Sequence, residues 1–203
     1  MASGRDYLGN YRYVRLIRAG ASCQVWEVAQ DQTARRVALK VLQPEHSQNK
    51  EEVQHLKHEF EVGKMMKHPN VVEIYDYAVD RGIPYLVLEL INGKNLKLVL
   101  RSGVEPLVPH LPQIVEQAAE GLNHVHEKGW VHRDVKPENI FLCDGEAYAG
   151  PDRRLKAGLA ASQKSIKPGA DFAPMNTLHR SARDGLANRT QCGGAGCFRQ
   201  HPP

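Results

Sequence analysis

The chain changes character near residue 150, and that break limits what it can fold into. Residues 151–203 contain no Val, Tyr, Trp or Glu, and they carry nine Lys and Arg against three Asp, a net charge of +6. Residues 1–150 carry 18 basic and 20 acidic side chains, a net of −2, so the formal +4 of the whole chain comes from its tail. A segment this poor in β-branched and aromatic residues buries too little apolar surface to offset the entropy of ordering, and it reads as disordered. A packed fold must come from the first 150 residues. The basic tail could meet nucleic acid or an acidic membrane surface. It lacks interleaved aromatics and any recognisable binding fold, so no specific nucleic-acid partner is expected. Cys192 and Cys197 lack the partners and spacing of a good zinc site.

The first 90 residues read mainly as β-structure. Tyr13–Arg18 and Gln24–Val28 are β-rich runs joined by Ala19-Gly20-Ala21-Ser22-Cys23, as in an ordinary hairpin. In Val37-Ala38-Leu39-Lys40 the period of two puts Ala38 and Lys40 on one strand face. From Glu51 to Lys67 the spacing of Val53, Leu56 and Phe60 predicts a helix, closed by His68-Pro69-Asn70 because proline disfavours helix in the residue before it. Val71–Tyr75 and Tyr85–Leu90 read as strands. Leu111, Ile114, Val115, Ala118, Ala119, Leu122 and Val125 form a helical stripe expected to be core, after a loop over Ser102–Pro112.

The densest chemistry lies in His132-Arg133-Asp134-Val135-Lys136-Pro137-Glu138-Asn139. A polar surface turn before a strand is the plain reading of such a run. Its order also suits a reaction: Asp134 can accept a hydroxyl proton, Lys136 can offset charge on a phosphate in transfer, and Asn139 can hold a metal ion through its amide oxygen. The run fits H-R-D-x-x-x-x-N and resembles the catalytic loop of protein kinases, most closely the eukaryotic-like Ser/Thr kinases of bacteria. The resemblance covers residues from about Tyr11 to Leu142. Lys136, two residues after Asp134, resembles the Ser/Thr rather than the Tyr kinases.

The resemblance implies an α+β, bilobal fold in which a β-rich N-lobe holds ATP against a helical C-lobe. It implies roles for further residues. Gly20 would lie in the Gly-rich loop over the phosphates, though Arg18 and Cys23 stand where two other glycines are expected. Val25 and Ala38 would pack on adenine, and Lys40 would reach the phosphates. Glu59, ten residues before Pro69, would pair with Lys40, with Glu61 the neighbour if the register slips. Leu88 would be the gatekeeper, and the backbone of Glu89 and Ile91 would bond the base. Asp134 and Lys136 would be catalytic and Asn139 a Mg²⁺ ligand. Gly63 is odd, because the family places an aliphatic residue there.

The pattern breaks after the catalytic loop. Ile140-Phe141-Leu142 begins a strand whose plausible continuation, Leu155–Ala160, puts Lys156 where the family has the metal-binding aspartate of D-F-G, and Ala157 at its phenylalanine. Asp171-Phe172-Ala173 has the wrong context. No A-P-E is present, although Leu178–Ala182 can be encoded so that a shift of two bases reads Ala-Pro-Glu-Arg, which suggests a frameshifted tail. The domain reading is a flexible residue 1–10 segment, a kinase domain over 11–150 (N-lobe 11–90, partial C-lobe 91–150), and a disordered tail over 151–203.

The implied function is phosphoryl transfer from ATP, with Mg²⁺, to a protein Ser/Thr hydroxyl, impaired in this chain. The alternatives are a non-catalytic nucleotide-binding or scaffold module, and an inactive fragment. Scattered cysteines, a polar start and the lack of a membrane-length apolar run point to the cytoplasm.

Overall fold

The computed structural model describes residues 6–143 and 155–157. Nine strands and three α-helices lie among them. The N-terminal part is a six-stranded antiparallel sheet: β1 (Tyr7–Leu8), β2 (Tyr11–Ala19), β3 (Cys23–Gln30), β4 (Arg36–Leu42), β5 (Ile74–Asp80) and β6 (Ile83–Leu88), in the order β1-β2-β3-β4-β6-β5. Alternation sorts its side chains. Val28, Val37, Leu39, Val41, Tyr85 and Val87 form a core on one face, while Ala38, Leu42, Leu86 and Leu88 face the other way and pack with Leu56 of a helix. Glu27 is buried in the sheet and is neutralised by Arg15 at 2.6 Å and by Arg36 from the neighbouring strands.

That helix, α1 (Lys50–Gly63), interrupts the sheet between β4 and β5. The Asn49 side chain accepts hydrogen bonds from the N–H groups of Glu51 and Glu52 at 2.9 and 3.4 Å, an N-cap that satisfies otherwise unpaired donors. Two glutamates in the first turn complement the helix dipole. The helix stops at Gly63, short of the expected Lys67. The chain instead tightens into turns, with Met65 N–H bonding Val62 C=O and Met66 N–H bonding Gly63 C=O.

Gly63 owes its place to a close approach. A Cβ there would overlap Cδ1 of Ile74, meet its Cγ1 at 2.8 Å and lie 3.4 Å from its Cβ. Ile74 of β5 therefore occupies the space that an aliphatic side chain on the helix would have taken.

The C-terminal part holds β7 (Gly93–Asn95), α2 (Leu96–Arg101), α3 (Leu111–Glu127), β8 (Ile140–Cys143) and β9 (Leu155–Ala157), with β7-β8-β9 antiparallel. Gly93 is required because a Cβ there would run into the Leu142 carbonyl. The expected loop over Ser102–Pro112 contains a 3₁₀ helix, Glu105–His110, which runs directly into α3. The apolar stripe of α3 is core only in part. Ile114 and Val125 are buried, but Leu111 and Val115 are 38 % and 65 % exposed. Leu98 and Leu100 of α2 are exposed as well, as are Val104 and Val108 at the 3₁₀ helix. No helix among the described residues is long and apolar enough to cross a membrane.

Candidate active site

Two clusters of side chains bring the sequence candidates together. The first is on the sheet. The register pairs Val25 with Lys40 and Ala38 with Leu88. Cross-strand partners share a face, so Val25, Ala38, Lys40 and Leu88 line one surface of β3, β4 and β6. Ala38 is buried there beside Leu88, and its small size keeps the surface shallow.

Lys40 Nζ lies 2.5 Å from Glu59 Oε2 on α1. Both side chains are withdrawn from water, at 11 % and 3 % exposure. Burial pushes the Glu59 carboxyl above its ordinary range, and the Lys40 ammonium opposes it. Glu59 Oε1 has no partner among the described residues. Glu61, the alternative partner, faces solvent and pairs with Lys64.

The edge of this surface departs from simple strand geometry. Glu89 N–H donates to Glu73 C=O at 2.9 Å, and Glu73 N–H donates to Glu89 Oε2 at 3.3 Å. The N–H of Glu89 is thus committed within the protein, and only its carbonyl could reach a base. Ile91 lies between β6 and β7, in neither strand.

Gly20 begins a tight turn in which its N–H bonds Cys23 C=O at 2.8 Å; a Cβ on Gly20 would sit 2.9 Å from that oxygen. Burial pushes the Cys23 thiol up, which keeps it protonated. The sequence reading missed Gln43. Its Nε2 donates to the carbonyls of Gly20 at 2.9 Å and Ala21 at 3.1 Å, and its N–H donates to Ser22 C=O at 2.9 Å.

The second cluster is the run after α3. Arg133 adopts φ +61°, a left-handed conformation costing about 1–2 kcal/mol for an L-residue. Beside it, Asp134 N–H donates to His132 Nδ1 at 3.2 Å. Asp134 Oδ2 accepts from Lys136 Nζ at 2.8 Å and from Asn139 Nδ2 at 3.0 Å, and Asn139 Nδ2 also bonds the Asp134 carbonyl at 2.9 Å. Lys136, then Asn139, hold the Asp134 carboxyl below the usual carboxylate range. Burial lowers the His132 pKa, so its ring is neutral.

With its NH₂ spent on Asp134, Asn139 turns its amide oxygen elsewhere. Asn139 Oδ1 is a hard oxygen donor of the kind that suits Mg²⁺. No group of three or more His, Cys, Asp or Glu placed to hold a metal occurs among the described residues. Lys156 lies in β9 opposite Phe141, so the strand expected to bring a further carboxylate carries a lysine at this register. Gly158, Asp171–Ala173, Leu178–Ala182, Cys192 and Cys197 lie outside the described residues.

The family model for the protein kinase domain matches residues 11–156. Serine/threonine-protein kinase PknA of Mycobacterium tuberculosis is 37 % identical over 139 residues, which are 66 % of this chain and 32 % of that protein. Serine/threonine-protein kinase PrkC of Bacillus subtilis is 28 % identical over 194 residues, 93 % of this chain and 29 % of that protein. The chain therefore spans about a third of the length of these relatives. The crystal structure of the Mycobacterium tuberculosis PknI kinase domain matches with a TM-score of 0.60 at 24 % identity, over 79 % of this chain and 64 % of that one, which is a likeness of fold.

Proposed function

Because the chain belongs to the protein kinase domain family, we propose that it binds Mg-ATP and, weakly, transfers the γ-phosphoryl group to a protein Ser or Thr hydroxyl. The observation that carries this reading is the bonded cluster of Asp134, Lys136 and Asn139. Phosphoryl transfer asks for little covalent chemistry from the protein; it depends on positioning and electrostatic stabilisation.

Each residue has a role in that scheme. Val25 and Ala38 flank the base, and the Glu89 carbonyl and Ile91 backbone bond its edge. Lys40, held by Glu59, neutralises phosphate oxygens, with the backbone around Gly20 above them. Asp134 orients the acceptor hydroxyl and takes its proton as the oxygen attacks. Lys136, already against Asp134, offsets charge on the phosphoryl group in transit. Asn139 would hold Mg²⁺, which when bound neutralises phosphate charge.

A second reading is favoured by Lys156 in β9: a nucleotide-binding module without turnover. The two separate by experiment. Mg-ATP should raise the melting temperature of the 203-residue chain, and radiolabel transfer to a generic protein substrate should be very slow and absent in Asp134→Asn. Turnover at about 1–100 s⁻¹, the ordinary kinase range, would refute impairment. No Mg-ATP stabilisation would remove both readings.

A further inference from the structure

We infer that the Arg18 side chain, carried where the family has a glycine, is itself a phosphate-binding group that meets the nucleotide from the strand face it shares with Lys40. The inference rests on the nucleotide-binding role proposed above. The register of the sheet carries it. Arg18 of β2 is the partner of Val25 on β3, and Val25 is the partner of Lys40 on β4. Cross-strand partners share a face, so Arg18, Val25 and Lys40 form one row across three strands. A bulge brings Arg18 into that row. The ladder steps from Leu16 opposite Trp26 to Arg18 opposite Val25, so Ile17 and Arg18 together oppose Val25. Without the extra residue Arg18 would pair with Gln24, on the other face.

The row lies at the phosphate end of the site. Ala38, which flanks the base, pairs with Glu27 in the next row, further from the Gly20 turn. Neighbouring strands run about 4.8 Å apart, so the Arg18 and Lys40 backbones are about 10 Å apart, and their long side chains can meet on a group held between them. Arg18 is exposed, as is Ile17 at 40 %. No ion pair engages Arg18 among the described residues.

Charge balance shows what the arginine adds. The Lys40 ammonium is matched by the Glu59 carboxylate 2.5 Å away, so that pair contributes little net charge toward an anion. Arg18 places a further cation on the same face. A guanidinium fork can hold two phosphate oxygens at once through charge-assisted hydrogen bonds, and a glycine offers neither the charge nor the donors. The metal side of the site gives that charge work to do. The strand expected to bring a further carboxylate carries Lys156 at this register, so among the described residues metal binding falls to Asn139. A cation on the strand face then neutralises phosphate charge without relying on Mg²⁺. Because Arg18 is exposed, its replacement should leave the core intact.

The test separates phosphate from base and charge from shape. Dissociation constants for Mg-ATP, for ATP in EDTA and for adenosine are measured by titration calorimetry on the 203-residue chain, on Arg18→Gln, which removes the charge, and on Arg18→Lys, which keeps it. Arg18→Gln should weaken Mg-ATP by about five- to tenfold, the low end for a charged hydrogen bond because the side chain is exposed. Metal-free ATP, which carries more negative charge, should lose a larger factor, and adenosine should be unaffected. Arg18→Lys should keep more of the ATP affinity than Arg18→Gln. An unchanged ratio of ATP to adenosine affinity in Arg18→Gln, a parallel loss of all three ligands, or a lysine variant no better than the glutamine one would overturn the inference. If the wild-type chain shows no preference for Mg-ATP over adenosine, the phosphate-binding reading falls, and this one with it; that failure is visible before any variant is made.

Discussion

Replacing Gly63 by alanine tests how closely α1 is packed, and with it how firmly Glu59 is held. Two effects oppose each other. Alanine is favoured over glycine in a helix by up to about 1 kcal/mol, and less at a last turn. Against that, the new methyl would overlap Cδ1 of Ile74 and meet its Cγ1 at 2.8 Å and Cβ at 3.4 Å. Because Cγ1 and Cβ are involved, a rotation of the terminal methyl does not relieve the contact. Ile74 is 6 % exposed among Leu56, Leu86 and Leu88, so it has no room to retreat. Overpacking of this kind costs about 1–3 kcal/mol.

The expected result is net destabilisation of about 0.5–2 kcal/mol, read from urea unfolding followed by circular dichroism. Ile74→Val removes the overlapping Cδ1 at a cost of about 0.5–1.5 kcal/mol. Adding Gly63→Ala to Ile74→Val should cost less than adding it to the wild type, because the Cδ1 overlap is gone while the Cγ1 contact at 2.8 Å remains, giving a coupling of at least about 0.5 kcal/mol between the sites. If Gly63→Ala is as stable as the wild type, the helix is not seated against β5 as described. Glu59 lies one turn earlier on the same face, so the alanine variant should also weaken Mg-ATP binding.

Glu59→Gln should leave the Lys40 ammonium buried beside a neutral amide; breaking such a pair costs about 3–5 kcal/mol. The double variant Lys40→Met/Glu59→Leu should recover much of that stability while losing nucleotide, and equal stability of Glu59→Gln and wild type would show the pair to be hydrated. His68 stacks on His124 at 5.0 Å, and burial, then the His124 charge, lower its pKa against the pull of Glu120 and Glu127. A depressed histidine pKa means that the folded state binds fewer protons than the unfolded one, so this contribution is present above the unfolded pKa of about 6.5 and is lost as pH falls through the folded value. The melting temperature should drop between about pH 7.5 and pH 5.5, and His68→Phe, which keeps a ring against His124, should flatten part of that drop; an identical pH dependence in the variant would exclude His68 as its source.

Local rules made much of the site legible in the chain. Strand alternation alone places Ala38 and Lys40 on one face, and the cluster of Asp134, Lys136 and Asn139 closes within one short run, so its bonds are local. The spacing of Val53, Leu56 and Phe60 and the proline after His68 mark α1, although its last turn is lost to tighter bonds. Contacts between distant segments were another matter. Counting from Pro69 left Glu59 and Glu61 as candidates, and burial against the sheet separates them. The empty face of Gly63 made no sense until Ile74 from β5 filled it. Leu111 and Val115 followed the helical period into an expected core, yet nothing described covers them, because periodicity states which face is apolar and not whether another element packs there. Gln43 carried no pattern at all: its bonds to the loop carbonyls come from the ladder that sets them within reach of its amide, a geometry that exists only once β3 and β4 have paired.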